Sequence, residues 1–218
     1  SYSAPLENRR NLLRLDFNEN TLGPSQKVYE AIKDINLNQI SIYPEYNLLK
    51  KFVSNHYYES RQFDSEEIGL FNGADAAINA IFNSFGDRDE IFLTTNPTFG
   101  YYSPCSEIQG MRKITCAYEG ENFLFPIKRF KEKIIKHKPK LIFICNPNNP
   151  TGTVLSAQEI IKLANLNKKS LIVVDELYEK FNGDSLLPVI DFKKIKNIVV
   201  IQSLSKTAGL AGLRIGFA

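Results

Sequence analysis

Four short apolar runs, rich in β-branched residues, limit most strongly how this chain can fold. They occupy positions 91–93, 141–145, 171–174 and 198–201. Each run is apolar throughout, which is typical of parallel strands covered on both faces. Amphipathic stretches at 125–137 and 156–166 alternate with them, and Ser156 with Glu159 forms a capping-box pattern at the start of the second stretch. This alternation predicts an α/β fold with a mostly parallel sheet covered by helices.

The N-terminal part of the chain has a different pattern. Residues 1–67 contain helix-like stretches at 25–35 and up to Tyr58, but no apolar run of strand type. We therefore predict an N-terminal arm and helical lead-in over residues 1–67, followed by a large domain over residues 68–218.

The amino-acid composition limits which classes of function this chain can have. With 218 residues, of which 43% are hydrophobic, the chain can bury a sizeable core. Its net charge of +3, with acids and bases intermixed, gives little reason to expect nucleic acid or an anionic membrane as partner. No run approaches the ~20 apolar residues of a membrane span, and the first residues lack a signal-peptide pattern. We therefore expect a cytoplasmic protein.

The three cysteines, Cys105, Cys116 and Cys145, are an odd number without metal-ligand spacing. Cys116 and Cys145 lie in apolar runs that indicate strands. We expect buried free thiols in a reducing compartment and no metal site.

Polar motifs follow three successive strands of the predicted sheet. The string Asn-Pro-Asn-Asn-Pro-Thr-Gly at 146–152 follows the second apolar run, Asp175 the third, and Ser-Leu-Ser-Lys at 203–206 the fourth. Because ligands bind where the carboxyl ends of parallel strands meet, we expect these residues to converge on one edge of the sheet. A lysine among hydroxyls, with Arg214 and an aspartate nearby, suits an anionic aldehyde cofactor.

Together these motifs resemble the active-site framework of fold-type I pyridoxal-phosphate (PLP) enzymes of aminotransferase class I/II, and are closest to histidinol-phosphate aminotransferases. The similarity runs from about Leu15 to the last residue. It implies PLP as cofactor and the aspartate aminotransferase-like fold of PLP-dependent transferases, with a seven-stranded, mostly parallel sheet in the large domain. In such enzymes the chain continues into a small C-terminal domain with an arginine that grips the substrate carboxylate, and this sequence does not include that part.

Lys206 looks like the Schiff-base lysine of this family, and Asp175 like the partner of the cofactor's ring nitrogen. A nucleophilic amine near neutral pH needs a lowered pKa, which partial burial and the nearby cation Arg214 favour. A carboxylate at the end of a buried strand is costly to desolvate, so we expect it to have a cationic partner. The alternatives are a solvated lysine and an aspartate that caps the next helix.

The resemblance makes Asn149 and Tyr178 the ligands of the cofactor's phenolic oxygen, and Phe99 the aromatic residue that stacks on its ring. Prolines and a glycine fix the turn that presents Asn149. Taken singly, Asn149 is an ordinary turn residue, and Tyr178 and Phe99 are ordinary packing residues. The seven-residue string favours the cofactor role for Asn149.

The helix start Asn-Gly-Ala-Asp at 72–75 offers free amides and a favourable dipole to the cofactor's phosphate. The predicted phosphate site consists of Gly73, Ala74, Asp75, Ser203, Ser205 and Arg214. A structural turn with a helix cap is the alternative for 73–75. The family usually has an acidic residue after Gly-Ala-Asp, where this chain has Ala76.

Tyr43 matches a tyrosine that, in this family, reaches the phosphate of the neighbouring subunit's cofactor. The resemblance therefore implies a homodimer with shared active sites. The segment Asp-Phe-Asn-Glu-Asn at 16–20 resembles the stretch that lines the substrate entrance. Asn20 by itself is better explained as a turn residue before Pro24.

These residues predict a PLP-dependent aminotransferase that acts on a small, phosphorylated amino acid or amine, with a small-molecule amino donor and acceptor. Two alternatives stay open. One is a PLP-dependent decarboxylase of a phosphorylated amino acid such as phosphoserine or phosphothreonine, which keeps the same scaffold. The other is a non-catalytic homologue of the same fold, against which the presence of every checkable cofactor-facing residue argues.

Overall fold

The computed structural model describes residues 7–57, 64–181 and 184–218. Its strands are β1 Leu70–Asn72, β2 Ile91–Asn96, β3 Arg112–Ala117, β4 Leu141–Cys145, β5 Leu171–Asp175, β6 Ile198–Ser203 and β7 Ile215–Phe217. Its α-helices are α1 Gln26–Lys33, α2 Leu37–Ser41, α3 Asn47–Tyr57, α4 Gly73–Phe85, α5 Tyr102–Ile108, α6 Ile127–His137 and α7 Ala157–Leu166. Short 3-10 turns cover Ser65–Glu67, Glu179–Phe181 and Ala211–Leu213.

In the described part of the chain, the strands form one seven-stranded sheet in the order β1-β7-β6-β5-β4-β2-β3. Strands β2 to β6 pair in parallel, whereas β7 runs antiparallel to both β6 and β1. The predicted α/β fold with a mostly parallel sheet is thus confirmed. The strand order reverses between β4 and β2, and in open parallel sheets such a switch point is where ligands bind.

The two strands at the antiparallel edge, β1 and β7, are absent from the predicted set. Each has only three residues, too few for a hydrophobic period to appear. Gly216 of β7 explains how closely this edge packs on the start of α4, because a Cβ at this position would lie 2.5 Å from the carbonyl carbon of Gly73. The edge strand therefore fixes the position of the α4 N-terminus.

The helices begin where local chemistry favours a start. The Ser156 hydroxyl accepts a hydrogen bond from the Glu159 amide at 3.3 Å, so α7 begins at its predicted cap. Helix α6 begins two residues after the predicted Phe125 and ends at His137, where the C-cap residue Lys138 has a left-handed backbone. Helices α1 and α3 fall within the helical lead-in predicted from the sequence.

The core consists of two apolar layers, one on each face of the sheet. Successive residues of β4 point to opposite faces: Ile142 and Ile144 pack with α6 and α7, whereas Leu141 and Phe143 pack with α4 and α5. The Phe82 and Phe143 rings stack at 4.7 Å in the second layer. All three cysteines are buried and free, as predicted. Among the described residues, no helix has both the length and the apolar character that crossing a membrane requires.

Candidate active site

The carboxyl ends of the parallel strands open into a cavity of about 1120 Å³. Of the residues predicted for the site, its walls include Ala74, Asp75, Phe99, Asn149, Tyr178, Ser205, Lys206 and Arg214. Asp175 lies buried, and Gly73 and Ser203 adjoin lining residues without forming the wall themselves. Motifs spread over most of the chain therefore meet at the sheet edge expected from the sequence. A second cavity of about 300 Å³, lined mainly by apolar residues, contains none of the predicted residues.

Lys206 follows β6 and extends its amine into the cavity. Its Nζ donates a hydrogen bond to the carbonyl oxygen of Phe17 at 2.5 Å. Burial lowers the pKa of the Lys206 amine, and the charge of Arg214 acts in the same direction, while Asp75, Glu19 and Asp175 oppose it. The lysine is therefore half-buried rather than fully solvated, which favours the nucleophilic alternative over the solvated one.

Asp175 ends β5 with only 1% of its surface exposed. Its Oδ2 accepts a hydrogen bond from the Tyr102 hydroxyl at 2.6 Å, and its Oδ1 accepts one from the Leu177 amide at 3.1 Å. Burial raises the pKa of the Asp175 carboxyl, partly offset by these donors. Within residues 7–57, 64–181 and 184–218, no ion pair is formed by this carboxylate. The cationic partner expected from the sequence is therefore not supplied by the described residues.

The α4 N-terminus and Arg214 form one end of the cavity. The Nη2 of Arg214 lies 3.3 Å from Asp75 Oδ2. Gly73 has φ +81°, and a Cβ there would lie 2.4 Å from Arg214 Nη2, so only glycine lets the guanidinium approach this closely. The Ser203 hydroxyl contacts the Ser205 hydroxyl at 2.8 Å and the Ile215 carbonyl at 2.9 Å. Cationic and hydroxyl donors thus gather beside a helix N-terminus, as an anion requires.

The loops after β2 and β4 are joined by the side chain of Asn148. Its Nδ2 donates to the Pro97 carbonyl at 3.1 Å, and its Oδ1 accepts from the Thr98 hydroxyl at 2.8 Å. These bonds tie together the two loops that carry Phe99 and Asn149, and both of these residues line the cavity. Asn149 is thus part of a structured turn and faces the cavity as well.

Tyr178 and Tyr43 lie in different surroundings. The Tyr178 hydroxyl accepts a hydrogen bond from Asn18 Nδ2 at 3.0 Å, and the ring centroid lies 5.8 Å from Lys206 Nζ. Tyr43 is 97% exposed and does not line the cavity of its own chain.

An N-terminal strap, residues 9–20, includes the segment 16–20 that the resemblance places at the substrate entrance, and residues 16–19 line the cavity. Its individual hydrogen bonds could not be predicted from the sequence. Besides Phe17 and Asn18, Asn20 ties the strap to the Lys206 loop, since its Nδ2 donates to the Thr207 carbonyl at 3.0 Å. Its Oδ1 accepts the Leu22 amide at 3.0 Å, which is the predicted turn. Arg9 holds the strap together through Asp16 at 2.5 Å and Glu19 at 3.2 Å.

Tyr102 is the other residue that sequence reasoning missed. It stands three residues after Phe99 in an aromatic-rich segment, and its contact with Asp175 spans 73 positions. The sequence spacing carried no sign of that contact. The available signal was the tyrosine hydroxyl itself, because a hydroxyl that becomes buried needs a hydrogen-bond partner.

The chain is similar in sequence to curated proteins of known type. The chain is 35% identical over 206 residues to a histidinol-phosphate aminotransferase of Caldanaerobacter subterraneus subsp. tengcongensis, covering 94% of this chain and 57% of that one. It is 34% identical over 206 residues to the histidinol-phosphate aminotransferase of Clostridium novyi, covering 94% of this chain and 56% of that one. The chain therefore spans a little over half the length of these curated relatives.

The fold also has solved counterparts. The histidinol-phosphate aminotransferase of Sinorhizobium meliloti, crystallised in complex with pyridoxal-5'-phosphate, matches with a TM-score of 0.80 and 22% identity, covering 92% of this chain and 54% of that one. At this identity the likeness shows the fold alone. The family model for aminotransferase class I and II matches residues 10–218. Because that match includes nearly all of the sequence, the chain belongs to the aminotransferase class I and II family.

Proposed function

We propose that this chain is the PLP-binding part of an aminotransferase that acts on a small, phosphorylated amino acid or amine. The observation that carries the proposal is the convergence of a half-buried lysine and a fully buried aspartate on one cavity, with Arg214 and a helix N-terminus at its end. Both curated relatives are named for a phosphorylated substrate. The substrate and activity of the whole protein are therefore inferred from a part of it.

The residues present fit PLP group by group. The buried Asp175 carboxylate, which forms no ion pair with the described residues, suits a protonated ring nitrogen. The close approach of Arg214 to Gly73 forms a cradle for the phosphate, with Ser203 and Ser205 as further donors. Asn149 and Tyr178 would hold the phenolic oxygen, Phe99 the ring face, and Ala74 and Asp75 the phosphate end, while Lys206 would bind the aldehyde.

When bound, PLP withdraws electrons from the α-carbon of a substrate amine, so that a bond at that carbon can break. In that chemistry, the role of this chain is proton transfer by Lys206. With the cofactor in place, Lys206 Nζ would take the proton from the substrate's α-carbon as a base and would then donate it as an acid. An amine can act as the base only when neutral, and the lowered pKa of Lys206 favours the neutral form. Asp175 meanwhile holds the ring nitrogen protonated.

We further propose a cytoplasmic homodimer, in which Tyr43 of one subunit reaches the phosphate bound by the other. The 97% exposure of Tyr43, on a segment that does not line its own cavity, supports this role. The proposal retains an N-terminal arm over 1–67 and a PLP-binding domain over 68–218.

Cofactor capture tests the proposal directly. We expect the purified chain to turn yellow with PLP, and borohydride to attach PLP irreversibly to Lys206, as shown by mass spectrometry of a tryptic digest. Lys206→Ala should stay colourless, while the matched surface variant Lys162→Ala should behave as the wild type. A wild-type chain that neither turns yellow nor gains mass would refute PLP binding.

Substrate mixing separates the two enzyme classes. A transaminase converts glutamate to 2-oxoglutarate and leaves the aminated cofactor, whereas a decarboxylase releases carbon dioxide from phosphoserine. We expect 2-oxoglutarate from the full-length protein and no carbon dioxide. Carbon dioxide without 2-oxoglutarate would reverse the assignment while leaving PLP binding intact.

A further inference from the structure

Tyr102, the first residue of α5, connects two of the residues proposed to hold the cofactor. Its hydroxyl donates to Asp175 Oδ2 at 2.6 Å, and both side chains are 1% exposed. Its ring meets the Phe99 ring edge-to-face at 5.5 Å. On its other side it packs on Phe143, at 4.9 Å between ring centroids. One buried side chain therefore supports both the ring-nitrogen partner and the stacking aromatic residue.

The direction of this hydrogen bond is fixed by its surroundings. Burial, and then the charge of Asp175, hold the pKa of the Tyr102 hydroxyl well above its ordinary value, so this hydroxyl keeps its proton and is the donor. The second oxygen of Asp175 accepts a hydrogen bond from the Leu177 amide at 3.1 Å. Other titratable groups near Asp175 are Cys145, its register partner on β4, and the more distant Asp75 and Lys206.

A carboxylate and a pyridine nitrogen that share one proton compete for it. Burial favours the neutral acid, which would take the proton from the nitrogen. A hydroxyl donor acts against this, because it binds the ionised carboxylate more strongly than the neutral acid. In the chain, Tyr102 makes the shorter of the two hydrogen bonds to Asp175.

We propose that Tyr102 is a positioning residue that keeps Asp175 ionised, so that the proton they compete for stays on the nitrogen of the bound cofactor. The inference rests on the proposed function, since it requires PLP in this cavity. The ring of Tyr102 makes the contacts with Phe99 and Phe143, so the proposed role depends on the hydroxyl alone. The hydroxyl and the ring can therefore be tested separately.

The variant Tyr102→Phe removes the hydroxyl and keeps the ring. With PLP labelled with ¹⁵N at the ring nitrogen, we expect a protonated nitrogen in the wild type and a shift toward the unprotonated value in Tyr102→Phe near neutral pH. PLP binding should weaken roughly tenfold, as expected for loss of a hydrogen bond to a charged group. Tyr118→Phe is the matched control, because it deletes another largely buried hydroxyl, bonded to Thr95 at 3.2 Å, outside the proposed site. It should keep the wild-type nitrogen signal.

An unchanged nitrogen signal in Tyr102→Phe would overturn the inference and leave PLP binding standing. A wild-type chain that binds no PLP would overturn the proposed function, and the inference with it. A measurement on the wild type serves if Tyr102→Phe does not fold. The carboxyl ¹³C signal of Asp175, assigned by its loss in Asp175→Asn, should be that of a carboxylate in the PLP complex, and a protonated Asp175 would refute the role of Tyr102.

Discussion

Single residues set the spacing at the phosphate end of the site. Gly73 combines a left-handed backbone with a contact that no Cβ could share, whereas Gly120 has the left-handed backbone without any neighbour within 4 Å of a Cβ. A side chain at Gly120 would therefore cost backbone strain alone, whereas a side chain at Gly73 would cost both backbone strain and a steric clash. Only the steric clash affects how closely Arg214 can approach.

Gly73→Ala should displace the Arg214 guanidinium and break its ion pair with Asp75, because the new Cβ would lie 2.4 Å from Nη2. We expect PLP affinity, measured by fluorescence titration, to fall roughly tenfold through loss of a charge-assisted phosphate contact. Gly120→Ala, at φ +66°, should carry a similar strain of about 1–2 kcal/mol without changing affinity. If Gly73→Ala and Gly120→Ala bound PLP with equal affinity, the close approach of Arg214 to Gly73 would not contribute to phosphate binding.

At the scale of elements, two helix starts look alike in sequence and differ in structure. Ser156 caps α7 through the Glu159 amide, whereas Ser25, at the start of α1, makes no capping bond with its side chain. In sequence, the two starts differ at the third helical residue. A glutamate stands there in α7, as the capping box requires, but Val28 stands there in α1.

Ser156→Ala should destabilise the protein by about 1 kcal/mol, because the Glu159 amide loses its acceptor. In a thermal melt this corresponds to a decrease of roughly 2–4 °C in Tm. Ser25→Ala is the control and should leave Tm nearly unchanged. If both variants lost the same amount, the capping bond would not be the cause.

The strap is an element of a different kind, since it reaches the site without belonging to the sheet. Asn18→Gly deletes the amide that binds the Tyr178 hydroxyl, and glycine tolerates the left-handed backbone found there. We expect PLP to dissociate roughly fivefold faster, as for a hydrogen bond of about 1 kcal/mol. Asn8→Gly, at another left-handed position, is the control. Identical release rates in all three proteins would show that the strap does not retain the cofactor.

Some elements could be predicted from the sequence and others could not. Strands β4, β5 and β6 were predictable because a strand buried on both faces is apolar throughout, and the polar residues that follow them had to meet at one edge. Neither short strands nor contacts across the fold leave such a pattern. The hydrogen bond between Lys206 Nζ and the Phe17 carbonyl joins residues 189 positions apart. The hydrogen bond between Tyr102 and Asp175 joins residues 73 positions apart. Those contacts depend on the packed fold.

At the scale of the whole molecule, stability depends on pH through a carboxyl group outside the proposed chemistry. Glu176, the residue that follows β5, is buried and accepts hydrogen bonds from Ser185, Leu186 and Gln202 at 2.6–3.0 Å. Burial raises its pKa to about 7. The folded protein therefore keeps a proton that the unfolded chain releases, so this contribution to stability is complete below the pKa of an unfolded glutamate and is lost as the pH rises to about 7.

Glu176→Gln should remove this pH dependence, because the amide is neutral at every pH and retains an oxygen for the Leu186 amide. The loss of Tm between about pH 5 and about pH 8 should be smaller in the variant by roughly 5–10 °C, corresponding to about 3 kcal/mol at most. Glu121→Gln, at an exposed position, should follow the wild type. A variant with the wild-type slope would show that another group governs the transition.

The antiparallel edge has a consequence for how the molecule is made. Among the described strands, β1 pairs only with β7, which comes much later along the chain, with Leu70 opposite Phe217. During synthesis on the ribosome, β1 must wait until β7 has been made before it can pair, although α4 beside it can form at once. Loop closure over that distance is slow. The sheet edge beside Gly73 is thus completed only when translation has passed residue 217.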